Sequence, residues 1–172
     1  MDRLADLMAS SDYHVAREVL ARGLALVYLV AFLNVRNQFR ALLGEKGLLP
    51  VPAFLAQTNW RAAPTLFHWR YSDRLVAAVA WAGMALTAAV VVGVVHAVPL
   101  WIGVAMWLVI WFLYLSVVNV GQTFYGFGWE SLLLEAGFYA AFLGNAATAP
   151  PVVILFAFRW LLFLVVFGSG LI

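Results

Sequence analysis

Residues 75–98 read LVAAVAWAGMALTAAVVVGVVHAV, and residues 100–118 continue as LWIGVAMWLVIWFLYLSVV. From Leu75 through Trp129 the chain carries no Asp, Glu, Lys or Arg. A helix needs about 20 residues, at about 1.5 Å each, to cross roughly 30 Å of hydrocarbon. Both stretches meet that length, and Pro99 between them leaves room only for a tight turn, so they pair as an antiparallel hairpin. The rest of the 172 residues agrees: 66% are hydrophobic, 10% are charged, and the mean hydropathy is +0.96. Soluble domains are about 45–50% apolar and about 25% charged. The predicted fold class is an all-α membrane protein, a bundle of about five transmembrane helices with interfacial helices in the first connection.

Three further spans complete the expected set. Residues 19–35 hold a short charge-free core bracketed by Arg22 and Arg36, whose side chains can snorkel toward the headgroups. Ser11 or Asp12 could cap this helix ahead of the membrane, and Gly44 and Gly47 mark its end. Residues 129–144 and 152–172 form the fourth and fifth spans, joined by the turn GNAATAPP. Residues 1–18 are a polar segment without the features of a signal peptide. Residues 36–74 form a long connection that prolines divide into interfacial half-helices. No internal repeat is apparent, which argues against the inverted layout of many transporters. The last residues, GSGLI, are still apolar, an ending expected of a fragment or a truncated frame.

Composition also removes several functions. Cysteine is absent, which excludes disulfides and thiolate chemistry. A net charge of +2 without a basic, aromatic-laced patch gives no surface for nucleic acid. His14, His68 and His96 are widely separated, and no zinc, phosphate-loop or nucleophile motif is present, so no cofactor and no metal are expected. Arginine greatly outnumbers lysine, a bias pointing to a bacterial host and its cell membrane.

Two acids sit in the fourth span, within NVGQTFYGFGWESLLLEAGF at residues 119–138. Counted from the turn at 145–151, Glu135 and Arg159 fall at similar depth on adjacent helices. An ionisable side chain at the bilayer centre costs roughly 2.5–3.5 kcal/mol on insertion scales. Mutual pairing is the expected solution, either as a bridge that locks two helices or as a membrane-embedded site. Glu130 lies in the first helical turn, where the helix dipole favours a carboxylate. Asn119 and Gln122 can hydrogen-bond across helices. Trp129, with Phe124, Tyr125 and Phe127, fits either an aromatic belt or a surface that receives an apolar partner segment.

NVGQTFYGFGWESLLLEAGF resembles the hallmark segment of the lipase maturation factor family. GEKGLLPVPAF, the opening YHVARE…VYLVAFLNVRNQF and the closing FRWLLFLVVFGSGLI are similar to it in order and spacing. The family pattern maps onto Gly128, Trp129, Glu130, Leu134, Glu135 and Gly137, and onto Arg159 and Trp160; the pairing of Glu135 with Arg159 is a separate inference. The resemblance implies a five-span protein, of the endoplasmic reticulum membrane in animals, that assists folding of secreted lipases. Its expected partners are the lipid bilayer and a lipase-like client, and the family's C-terminal soluble domain is expected to be missing. It also implies a cytosolic N-terminus. The charge count opposes that orientation, with Arg36, Arg40, Lys46, Arg61, Arg70 and Arg74 in the first connection against Arg3, Arg17 and Arg22 before it. The family layout is adopted.

Two functions compete. The first is a non-catalytic maturation factor, of which this chain is the transmembrane half. The second is a membrane enzyme related to vitamin K-dependent carboxylases or oxidoreductase-like families, which would need a buried base, with Glu135 the one serious candidate. A transporter ranks last, because residues 75–118 offer almost no polar lining.

Overall fold

The structure is a computed structural model that describes residues 13–145, 148 and 151–170. The Ser11 or Asp12 cap, most of the polar N-terminal segment, part of the 145–151 turn and the last two residues lie outside that set. The described chain folds into six helices without a strand: α1 (Tyr13–Leu43), α2 (Val51–Gln57), α3 (Asp73–Val91), α4 (Leu100–Asn119), α5 (Gly128–Ala140) and α6 (Val152–Ser169). Single helical turns occur at Val94–Ala97, Leu66–His68 and Gln122–Tyr125.

The 31 residues of α1 span about 46 Å at the helical rise, more than a bilayer core requires. One stripe of α1 is buried in steps of three and four: Ala21, Ala25, Tyr28, Phe32, Val35 and Phe39. That spacing keeps a single face turned to the bundle. Against it α3 buries Val76, Val79, Ala80, Met84 and Val90, and α4 buries Trp107, Ile110, Tyr114 and Val117. At the centre the rings of Tyr28, Phe32, Trp107 and Tyr114 meet mostly edge to face. The Tyr28–Tyr114 and Phe32–Tyr114 centroids are 5.4 and 5.5 Å apart, a favoured aromatic geometry. Gly83 of α3 lies flat on the Phe32 ring, where a Cβ would collide.

The span expected over 75–98 is shorter than predicted. α3 stops at Val91, because Gly93 adopts φ 90 and turns the chain into Val94–Ala97. A uniformly apolar run hides that break, and only the glycine marks it. α3 and α4 keep the expected antiparallel hairpin. α1, α3 and α4 are long and apolar enough to cross a membrane, and Val152–Gly168 is a shorter apolar helix. α5, at 13 residues, covers about 20 Å.

The first connection is organised by hydrogen bonds to the end of α4. Thr65 Oγ1 donates to the Ser116 carbonyl at 2.8 Å, and the Leu66 amide donates to Ser116 Oγ at 3.2 Å. Asp73, at the start of α3, accepts from the Glu45 amide at 3.0 Å and the Tyr71 hydroxyl at 3.3 Å, and pairs with Arg40 Nε at 3.3 Å. Buried backbone in a connection needs such partners, and here two long helices supply them.

Candidate functional site

The segment at 119–138 sits where α4, α5 and α1 converge. Residues 121–127 form a tight turn, with Gln122 at φ 48, and α5 begins at Gly128. That start places Glu130 in the first turn, level with Tyr114 near the end of α4. The Tyr114 hydroxyl donates to the Glu130 carboxylate, a charge-assisted bond stronger than a neutral one. One turn further along α5, Tyr28 Oη of α1 donates to the Leu133 carbonyl at 2.8 Å. Gly137 completes the contact, since a Cβ there would strike the Tyr28 hydroxyl. Two buried tyrosines thus clamp α5, one through its side chain and one through its backbone.

An open groove of about 420 Å³ runs beside this clamp. Its lining includes Glu130 and Tyr114, the aromatic Trp129 and Phe124, and Asn34 and Gln38 of α1. Trp129 is exposed and stacks on Phe127 at 4.4 Å. Burial, and then the Glu130 carboxylate, push the Tyr125 hydroxyl well above the ordinary tyrosine value. A carboxylate held by a tyrosine, two amides and aromatic rings offer hydrogen-bonding positions beside apolar surface.

The expected union of Glu135 with Arg159 does not occur. Both side chains are exposed, and no ion pair joins them among the described residues. Glu135 instead accepts from Tyr139 Oη at 3.2 Å, one turn along its own helix. Equal depth leaves helix rotation open, and Tyr139 and Phe158 take the crossing, with ring centroids 5.8 Å apart. Arg159 follows Phe158 and so points about 100° away around α6. Glu135 thus faces away from the packed interior of the bundle.

Asn119 and Gln122 do not bond across helices. Asn119 Nδ2 donates to the Pro64 carbonyl at 2.7 Å, and Gln122 Nε2 to the Leu49 carbonyl at 3.0 Å. Both pin the first connection to the end of α4. Tyr28 and Tyr114 carry no site signal in the sequence, and Arg17 stands out there only as one of the N-terminal cations. Arg17 is only 3% exposed and donates to the carbonyls of Asn145 and Thr148 at 2.5 and 2.7 Å. Its one sequence signal is a cation directly before the exposed Glu18–Arg22 pair, which is too weak to identify a partner 128 positions away.

The family description "Lipase maturation factor transmembrane domain" matches residues 15–172. Lipase maturation factor 1 of Bos taurus is 36% identical over 188 residues, covering 96% of this chain and 32% of that protein. The Mus musculus counterpart is 37% identical, covering 95% and 31%. Lipase maturation factor 2 of Gallus gallus is 34% identical, covering 91% and 24%. The chain thus spans about a third or less of the length of these relatives. No solved structure matches it. A match that runs from the first turns of α1 through α6, across the whole clamp and groove, places this chain in the lipase maturation factor family.

Proposed function

We propose that this chain is the membrane-embedded part of a maturation factor that assists the folding of secreted lipases or similar exported proteins. The carrying observation is the family match over residues 15–172, with relatives named as lipase maturation factors. The groove at Trp129 and Glu130 supports the reading as a place for an apolar partner segment. In this proposal the chain is not an enzyme: Glu130 is occupied by Tyr114 as a packing element, and Glu135 lies outside the bundle. The excess of arginine over lysine supports a bacterial cell membrane as its location.

The test is co-expression with a secreted lipase in cells that lack their own maturation factor. Cells carrying the chain are expected to release more active lipase, and Glu130→Gln combined with Tyr114→Phe is expected to reduce that gain. Equal lipase activity with and without the chain, at matched levels of inserted protein, would sink the proposal.

A further inference from the structure

On the opposite side of α1 from the clamp lies a second open groove, of about 770 Å³, between α1 and the start of α3. Its outer end carries Arg36, Arg40 and Arg74, and its inner end is walled by Val35, Ala77 and Trp81. The acids there are Asp73 and Glu45. Asp73 is already engaged by Arg40, the Glu45 amide and Tyr71. Arg36 and Arg74 have no carboxylate within ion-pair distance among the described residues. The Arg36 guanidinium sits over the Trp81 ring, 4.9 Å from its centroid, and donates to Asn37 Oδ1 at 3.1 Å. A cation held over an exposed indole keeps donors to spare.

The groove is graded along the membrane normal. Arg74 is in the first turn of α3 and Arg36 lies one turn, about 6 Å, inward of Arg40, while Trp81 lies about 10 Å inward of Arg74 by the helical rise. Cations therefore line the headgroup level, and the apolar wall continues below them into the span. A free phosphate would use only the outer end. An amphiphile with an anionic head uses both: arginines take a phosphate through charge-assisted hydrogen bonds, and the apolar wall takes an acyl chain. We propose that this groove binds one anionic phospholipid, its phosphate on Arg36 and Arg74 and its acyl chain along Val35, Ala77 and Trp81.

The chain reconstituted in nanodiscs of mixed phosphatidylglycerol and phosphatidylcholine, then extracted into mild detergent, should retain phosphatidylglycerol in preference. The preference is expected to be about tenfold, near that of one or two basic residues at an anionic surface. Arg36→Gln with Arg74→Gln should abolish it, whereas Arg22→Gln, at the other end of α1, should leave it intact. Far-UV circular dichroism reports folding, and if the double variant unfolds, the exposed Arg74→Gln alone should still reduce the preference severalfold. Equal retention of the two lipids by the unaltered chain, or a preference that survives both substitutions, overturns the proposal. So does displacement of the lipid by millimolar inorganic phosphate, which would assign the arginines to a free anion.

Discussion

The Tyr114 hydroxyl donates to the Glu130 carboxylate across the corner between α4 and α5. The bond joins a residue in the last turns of α4 to the first turn of α5, and it sets how α5 leaves that corner. Hydrogen bonds to a charged group contribute about 1.5–3 kcal/mol. Tyr114→Phe and Glu130→Gln should each lower thermal stability in detergent by about 1–3 kcal/mol. The double variant should lose less than the sum, since each single change already breaks the same bond. Strict additivity in that cycle would show the two groups to be independent.

Tyr28 and Gly137 make a second coupled pair. Gly137→Ala drives a methyl into the Tyr28 hydroxyl, and overpacking of this kind costs about 1–3 kcal/mol. Tyr28→Phe removes the nearest of the atoms in the way, though not the ring carbons behind it, along with the bond to the Leu133 carbonyl. The Gly137→Ala defect should therefore be smaller in a Tyr28→Phe background. Melting curves of the four proteins decide the point, and an undiminished defect would mean that α5 approaches α1 elsewhere.

Arg17 is a buried cation that donates to the backbone carbonyls of Asn145 and Thr148, far from it in sequence. Arg17→Met keeps much of the stem volume while removing the donors. It is expected to cost about 1.5–3 kcal/mol and to open the segment near Asn145 to protease before the rest of the chain. Unchanged stability and cleavage would show that the arginine contributes no more than packing.

Tyr71 lies in the first connection, outside the spanning helices. Burial first, then the Asp73 carboxylate, raise its pKa above the ordinary value of about 10. A raised folded-state pKa means the folded chain holds this proton more tightly than the unfolded one. The contribution is fully present below about pH 10 and is lost as the pH climbs toward the folded value. Stability should fall on the alkaline side of pH 10, less steeply in Tyr71→Phe. Identical alkaline profiles would exclude Tyr71 as a contributor.

The absence of cysteine allows orientation to be read directly with single introduced thiols. In the family layout, Ala56→Cys in α2 faces the non-cytosolic side. A membrane-impermeant maleimide should label it in intact cells, without permeabilisation. Labelling only after permeabilisation would favour the orientation that the six cations of the connection imply.

Membrane class, the hairpin of α3 and α4, and the breaking of the first connection into short helical pieces at Val51–Gln57 and Leu66–His68 are all legible in the amino-acid order. Hydropathy over a window of bilayer length is a property of consecutive residues, so no contact between distant positions is needed to evaluate it. Family membership is legible for the same reason, because GWESLLLEAGF and its companion blocks are strings. The partners of the polar groups are not. Glu135 and Arg159 agree in depth, yet Tyr139 and Phe158 occupy the helix crossing and leave both charges outside. Depth follows from counting residues at a constant rise. Rotation about the helix axis follows from which apolar faces pack best, and a step of one residue turns a side chain by about 100°. That choice, made by the burial of Tyr28, Phe32, Trp107 and Tyr114 together, brought Glu130 rather than Glu135 into contact with the core.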